Sequence, residues 1–143
     1  MNENQQPQIK INRQYIKDIS FENNAMQKDI KLNKTPEFKI DVKINTKKKD
    51  ENKFEVSLLF LIKASIDKKN IFIIELDYAG LFEINNMPKE QINPFLMIEC
   101  PRILFPFARR IVSDISRDGG YPPINLDMID FLKLYQSKMA QKK

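Results

Sequence analysis

The sequence predicts an α+β fold in which a four-stranded antiparallel sheet is followed by two helices. Two observations indicate the strands: apolar and polar residues alternate in three segments between Phe38 and Tyr78, and short polar turns separate these segments. A third observation indicates the helices, because beyond Met87 the apolar residues recur every three to four positions.

The second, third and fourth strands are predicted to form an antiparallel meander. Their apolar residues occupy even positions within residues 38–44, 54–66 and 72–78. The lysine-rich segments 46–50 and 67–70 are short, so they are expected to connect neighbouring strands. Ile73, Glu75 and Asp77 have the other parity and are predicted to lie on the opposite face of the fourth strand.

The first strand is less regular. Its apolar residues of one parity are predicted to share a face: Ile9, Ile11, Tyr15, Ile19 and Phe21. Asp18 and Glu22 belong to the other face. Residues 23–36 are polar, show no periodicity and are too many for a hairpin loop, so we predict a crossover that joins the first strand to a non-adjacent one.

The first of the two helices is predicted over residues 106–117, after a kinked helical segment over residues 91–105. Pro106 suits a first turn, where the missing N–H costs nothing, and Gly119 and Gly120 supply the end. The last helix is predicted to begin near Asp127 as its N-cap. Its apolar stripe has helical spacing: Met128, Phe131, Leu132, Tyr135 and Met139.

Length and hydropathy indicate a single domain over residues 1–143, with flexible ends at about 1–8 and 137–143. No apolar run approaches the roughly 18 residues that a membrane span requires. The Asn- and Gln-rich start does not resemble a signal peptide. We therefore expect a cytoplasmic protein without direct membrane insertion.

The side chains argue against an enzyme. One cysteine and no histidine exclude a Cys/His zinc cluster and a Ser-His-Asp triad. Cys100 lies in an apolar segment and is expected to be buried and inert. The paired carboxylates are predicted on an open sheet face rather than in a cleft, which disfavours a hydrolase. We predict no catalytic residue, no cofactor and no metal.

The net charge of +5 suggests one alternative, a basic sheet module for RNA in which Phe60 or Phe72 stacks on bases. The lysines, however, concentrate in the predicted turns, and the acids of the first and fourth strands argue against a phosphate surface. A nucleic-acid partner is therefore not expected.

Three segments resemble one known family, in the same order along the chain. They are YIKDISFE at residues 15–22, CPRILFPFAR at residues 100–109 and GGYPPINL at residues 119–126. These motifs are similar to those of SecB, the family of bacterial protein-export chaperones. The resemblance extends from about Tyr15 to Tyr135. Members of that family are usually acidic, so the positive charge of this chain is a departure.

The resemblance implies an ATP-independent chaperone that binds unfolded secretory preproteins and delivers them to the SecA motor. It also implies a homotetramer, built as a dimer of dimers with the helices between the sheets. An alternative within the same class of binding proteins is a SecB-like chaperone that serves a toxin-antitoxin pair.

The resemblance implies two sites. Four positions match the family's SecA-docking residues: Asp18, Glu22, Ile73 and Glu75. Any zinc there would belong to SecA. Seven positions match a groove for preproteins: Ile40, Val42, Phe72, Ile74, Leu76, Tyr78 and Tyr121. The alternative for each groove residue is ordinary core packing against the helices. Ile30 replaces a family tryptophan at one end of this groove, which reduces its aromatic area.

Overall fold

The structure is a computed structural model and describes residues 6–141. The strands are β1 (Gln8–Glu22), β2 (Glu37–Lys48), β3 (Lys53–Ile66) and β4 (Lys69–Asn85). The helices are α1 (Asn24–Lys28), α2 (Lys89–Pro94), α3 (Cys100–Asp118) and α4 (Phe131–Gln141), with a π-helical turn (Phe95–Glu99) between α2 and α3. The predicted α+β class is therefore confirmed. The structure adds the short helix α1, whose five residues are too few to produce a periodic pattern.

The four strands form one antiparallel sheet in the order β1-β4-β3-β2. The predicted meander of β2, β3 and β4 is confirmed, and so is the crossover, because β1 pairs with β4 rather than with β2. Asp67 and Lys68 connect β3 to β4 and both have positive φ, the geometry of the tight turns that suit hairpins.

The prediction that Tyr15 shares a face with Ile11 and Ile19 is wrong. The pairing of β1 with β4 shifts between Ile11 and Arg13 and again between Ile16 and Asp18. Each irregularity adds a residue to β1, and this reverses the side-chain parity of the residues that follow. Tyr15 consequently pairs with Ala79 and lies on the other side of the sheet.

The core lies between the even-numbered residues of β3 and β4 and the helix α3. Leu58, Ile62 and Ile74 are completely buried there. Phe105 of α3 lies against Phe60 of β3, with their ring centroids 6.4 Å apart. Burial of each such side chain stabilises the fold by about 1.5–3 kcal/mol, so the sheet and α3 form one unit.

Two predicted helix starts are wrong. Helix α3 begins at Cys100, with Pro101 in its first turn, and Pro106 lies inside it. Pro106 is exposed, so water can approach the backbone group that loses its helical partner there. Helix α4 begins at Phe131 rather than near Asp127, because Asp130 is the cap: its Oδ1 accepts a hydrogen bond from the Lys133 N–H at 3.1 Å.

The predicted apolar stripe of the last helix is only partly buried. Phe131 is buried and Tyr135 is half-buried, whereas Leu132 and Met139 are exposed. Met128 precedes the helix and is 79% exposed. One side of α4 therefore packs on the domain mainly through Phe131.

At the two ends, β1 begins at Gln8 and α4 continues to Gln141. Residues 1–5 and 142–143 lie outside the described residues, so the predicted flexibility of the ends stays a prediction. Among residues 6–141, no helix is both long enough and apolar enough to cross a membrane.

Candidate binding surfaces

The sheet has two faces with different surroundings. The helix face carries the even-numbered residues of β2, β3 and β4 and packs against α3. The open face carries the odd-numbered residues of these strands together with Asp18, Ser20 and Glu22 of β1, which pair with Asp77, Glu75 and Ile73. A protein partner on one face therefore leaves the other face accessible.

The four residues predicted to dock SecA lie together on the open face. Glu22 pairs directly with Ile73, and Glu75 pairs with Ser20, which lies between Asp18 and Glu22 along β1. The three acids are exposed and Ile73 is half-buried. The pairing of β1 with β4 therefore assembles an acidic surface with one apolar residue in it.

A buried carboxylate lies beside this acidic surface. Glu55 of β3 is only 5% exposed although it lies on the open face. Lys17 Nζ donates to Glu55 Oε1 at 2.8 Å, and the Tyr15 hydroxyl donates to Glu55 Oε2. Three side chains from two non-adjacent strands thus satisfy one another above β4.

The titration of the three groups follows from these contacts. Burial by itself would raise the pKa of Glu55, but the hydrogen bonds from Lys17 and Tyr15 lower it overall. The bond to Glu55 raises the pKa of Lys17. Burial, together with the adjacent Glu55 carboxylate, raises the pKa of Tyr15 to about 12. At neutral pH the cluster contains an ion pair and a neutral phenol.

Sequence reasoning missed this cluster because it depends on the irregular pairing of β1. Lys17 is the residue at the second irregularity, and Tyr15 precedes it on the unexpected face. In the sequence, the irregular pairing is indicated only by a polar residue at a position where the alternation of the strand predicts an apolar one. Such a residue is weak evidence for an irregularity.

Asp77 adds a further carboxylate to the open face, and its surroundings disfavour the ionised form. One of its oxygens, Oδ1, is buried and has no hydrogen-bond partner within the described part of the chain. Burial raises the pKa of Asp77, and the nearby carboxylates of Glu55 and Asp18 raise it further against the opposing effect of Lys17. Negative charge on the open face is therefore concentrated where Asp18 and Asp77 pair.

A shallow cavity of about 410 Å³ opens next to these acids. Leu59 and Leu61 of β3 contribute apolar side chains to it, and Asp18, Glu75 and Asp77 line one side. The open face therefore combines acidic groups with accessible apolar area, which suits a basic segment of another protein.

The residues predicted to line the preprotein groove lie on the helix face, but most of them are buried. Ile40 is 43% exposed and Val42 is half-buried. The other five are core residues in this conformation: Phe72, Ile74, Leu76, Tyr78 and Tyr121. The expected accessible groove is therefore limited here to the edge strand β2, where Phe38 is also 48% exposed.

Tyr121 covers the aromatic end of this surface. Its ring centroid lies 4.5 Å from that of Phe72, which also stacks on Phe21 at 5.6 Å. Burial raises the pKa of the Tyr121 hydroxyl. Of the three aromatic rings that pack on Phe72, Tyr121 is the nearest, and Phe72 is 1% exposed in this conformation.

Within residues 6–141, no helix covers the β1 side of the helix face. Helix α3 packs over β3 and β4, and the apolar side chains of β1 remain exposed beside Phe107 of α3. This apolar patch consists of Ile9, Ile11, Ile16, Ile19 and Phe107, each 38–46% exposed. Contiguous apolar area of this kind marks a surface for another protein or another subunit.

The one cysteine of the sequence lies in the core rather than on either of these surfaces. Cys100 is completely buried and its pKa is raised by burial, so the thiolate is strongly disfavoured. Within residues 6–141, no group of three or more His, Cys, Asp or Glu residues is arranged to hold a metal ion. An antiparallel sheet with an acidic open face and exposed apolar area on its helix face is typical of a subunit that binds other proteins.

Comparison with known proteins identifies the family. The model of the family described as "Preprotein translocase subunit SecB" matches residues 2–142, so the chain belongs to the SecB family. It is 50% identical to the protein-export protein SecB of Dinoroseobacter shibae over 139 residues, which cover 95% of this chain and 81% of that protein. The protein-export protein SecB of Ruegeria sp. strain TM1040 is 47% identical over 96% of this chain and 87% of its own length.

A solved structure supports the same fold. A SecB-like chaperone of Mycobacterium tuberculosis, in complex with a peptide from an antitoxin, superimposes with a TM-score of 0.68 over 85% of this chain and 90% of its own. Its sequence identity is 12%, so this likeness concerns the fold alone. The much more similar export proteins favour a chaperone of protein export over the toxin-antitoxin alternative.

Proposed function

We propose that the protein binds unfolded preproteins on its helix face and, at the same time, docks on SecA through its open face. The observation that supports this is the division of the predicted residues between the two faces. Asp18, Glu22 and Glu75 lie on one face of the sheet, whereas Tyr121 and Phe72 lie on the other. Simultaneous binding of cargo and motor is what a delivery chaperone requires.

The docking residues fit a basic partner. The exposed carboxylates of Asp18, Glu22 and Glu75 attract positive charge, and the half-buried Ile73 between them adds apolar contact. We expect the basic, zinc-bearing tail of SecA to bind here. The net charge of +5 is repulsive at long range, so docking depends on this local cluster and weakens as salt screens it.

The preprotein site consists of the exposed strand β2 and the aromatic cluster under Tyr121. Ile40 and Phe38 are already accessible, and β2 is an edge strand that can pair with an extended segment. Such contacts depend on the apolar area and the main-chain groups of the bound chain rather than on its sequence. Binding uses no nucleotide and no catalytic step, and it takes place in the cytoplasm, before export.

We further propose that four chains assemble as a dimer of dimers. The apolar patch of β1 and Phe107 supports this, because a homotetramer can bury it between the sheets and the helices of neighbouring subunits.

The experiment that tests the function measures the affinity for SecA and the affinity for an unfolded protein separately. Asp18→Lys with Glu22→Lys reverses two charges of the docking set, and we expect SecA binding to weaken by about tenfold or more for each reversal. Affinity for a permanently unfolded protein should stay within twofold of the unchanged chain. Glu51→Lys with Glu90→Lys is the matched control, since both residues are exposed and lie outside the docking set and outside β2.

Calorimetry or interferometry with purified SecA gives the first affinity, and fluorescence anisotropy of a labelled unfolded protein gives the second. Equal loss in both charge-reversed pairs would show that net charge, rather than this cluster, determines docking. Absence of any affinity for the unfolded protein would refute the chaperone site itself.

A further inference from the structure

Asn23 is placed to cap a helix but does not do so. It directly precedes α1, and asparagine is favoured at that position because its side-chain oxygen can accept a hydrogen bond from the first turn. No such hydrogen bond forms here. The side chain instead reaches two groups that lie 96 and 98 residues further along the chain.

Both ends of the Asn23 amide are used in these contacts. Nδ2 donates to the carbonyl oxygen of Gly119 at 2.9 Å, and Oδ1 accepts a hydrogen bond from the hydroxyl of Tyr121. The two partners flank Gly120, whose φ of 95° is open to glycine and strained for other residues. Asn23 therefore contacts the loop after α3 on both sides of Gly120, the glycine with positive φ.

The neighbouring contacts bring the same two segments together. A Cβ atom at Gly119 would clash with the ring of Phe21, so Gly119 allows the close approach of β1 to the end of α3. Phe21 in turn stacks on Phe72. The aromatic ring that Tyr121 covers is thus part of the same contact region.

The main chain of the loop has separate anchors on α3. The Tyr121 N–H donates to the carbonyl of Ser116 at 3.1 Å, and the Ile124 N–H donates to the Ser116 hydroxyl at 2.9 Å. Neither bond involves the Asn23 side chain, whose own partners are the Tyr121 hydroxyl and the Gly119 carbonyl.

We propose that Asn23 is a positioning residue that controls access to the preprotein site, by holding Tyr121 over Phe72. This inference rests on the proposed function, because it assigns a gate to the same surface. An unfolded chain reaches Phe72 only in the fraction of molecules in which Tyr121 has moved away, and that fraction multiplies the observed association rate.

The test is Asn23→Ala, with Asn24→Ala as its control. Asn24 is the same residue type at the next position, is also half-buried, and has no side-chain hydrogen bond within residues 6–141. Stopped-flow mixing with a labelled, permanently unfolded protein gives the association and dissociation rate constants. Hydrogen exchange of residues 119–126 reports how often the loop opens.

We expect Asn23→Ala to raise the association rate constant about 5- to 30-fold, because each hydrogen bond changes an equilibrium by about fivefold. The dissociation rate constant should change less than twofold, since the bound state is already open. Tyr121→Phe keeps the ring and loses one of the two bonds, so it should raise the association rate about fivefold. The double variant should equal Asn23→Ala rather than the product of both effects.

The possible outcomes separate the two proposals. If the unchanged chain does not bind the unfolded protein, the proposed function is refuted. If it binds, and Asn23→Ala associates at the same rate as Asn24→Ala while only its melting temperature falls, Asn23 is merely structural and the gate is refuted. A faster dissociation rate would show that Asn23 contacts the client directly, which also refutes the gate. If Asn23→Ala does not fold, Tyr121→Phe decides by the same rate constants.

Discussion

Lys17 Nζ lies 2.8 Å from Glu55 Oε1, and the two residues belong to strands that do not pair with each other. The strand β4 separates them, and Ala79 of β4 pairs with both Tyr15 and Ser57. Because Ala79 has only a methyl side chain, the longer side chains can meet above it. The result is a partly buried ion pair that bridges β1 and β3 across β4, on the face proposed to bind SecA.

The first prediction concerns this ion pair. Glu55→Gln should lower the free energy of unfolding by about 1–2 kcal/mol at pH 7, since it removes the charge that Lys17 and Tyr15 stabilise. The expected loss is modest because the Lys17 side chain is 39% exposed and water screens the pair. Urea unfolding measures the difference, with the exposed Glu51→Gln as control.

The same variant has a defined pH dependence. The folded-state pKa of Glu55 lies below its ordinary value of 4.5, so the stabilisation is present above about pH 4.5 and is lost as the pH falls through the folded-state pKa. The two unfolding curves should therefore converge in acid. A difference that persists unchanged at pH 3 would contradict the assignment of the effect to the Glu55 charge.

Asp77 should behave in the opposite way. Its folded-state pKa is raised above 3.8, so the ionised carboxylate destabilises the fold at neutral pH, and stability is recovered as the pH falls through that raised value. We expect Asp77→Asn to stabilise the protein by about 1 kcal/mol at pH 7, with the gain shrinking in acid. Thermal unfolding at several pH values measures this. The exposed Asp41→Asn on the same face is the control, and a destabilised Asp77→Asn would contradict the prediction.

A third pair of substitutions tests how the aromatic cluster is buried. Phe72 is 1% exposed and Phe38 is 48% exposed, although the two rings lie 6.3 Å apart. Phe72→Ala should cost about 3–5 kcal/mol of unfolding free energy, and Phe38→Ala about 1 kcal/mol. Similar losses in both variants, measured by denaturant titration, would mean that Phe72 is as accessible as Phe38 in solution.

The regular strands could be predicted from the sequence because their alternation has a single physical cause. The even positions of β3 and β4 are apolar because they face α3, and this alternation was sufficient to place Glu75 on the opposite face. Asp18 and Glu22 followed from the parity of Ile19 and Phe21 in β1. The same reasoning gave the wrong face for Tyr15. An irregularity in the pairing of β1 reverses the side-chain parity there, and no turn residue in the sequence indicates it.

Access and loop contacts could not be predicted in the same way. An apolar face looks identical in sequence whether a neighbouring loop covers it or not, so the burial of Phe72 under Tyr121 required the tertiary structure. Asn23 and Tyr121 are 98 residues apart, and neither residue type indicates the other. The predicted start of α4 differs from the observed one because Asp127 and Asp130 are equally suitable caps in the sequence. Only the hydrogen bond from the Lys133 N–H to Asp130 distinguishes them.

The last prediction concerns the assembly. Ile16 is 46% exposed in the isolated chain, so Ile16→Glu should leave the subunit folded, with a change of less than about 1 kcal/mol in unfolding free energy. In a tetramer that buries the apolar patch, the same change places an unpaired charge in the interface and should break it. Light scattering should give the mass of four chains for the unchanged protein and a smaller species for Ile16→Glu. Met128→Glu, at a residue that is 79% exposed and outside the patch, should keep the full mass. An unchanged protein with the mass of one chain would refute the tetramer, and a tetrameric Ile16→Glu would show that the interface lies elsewhere.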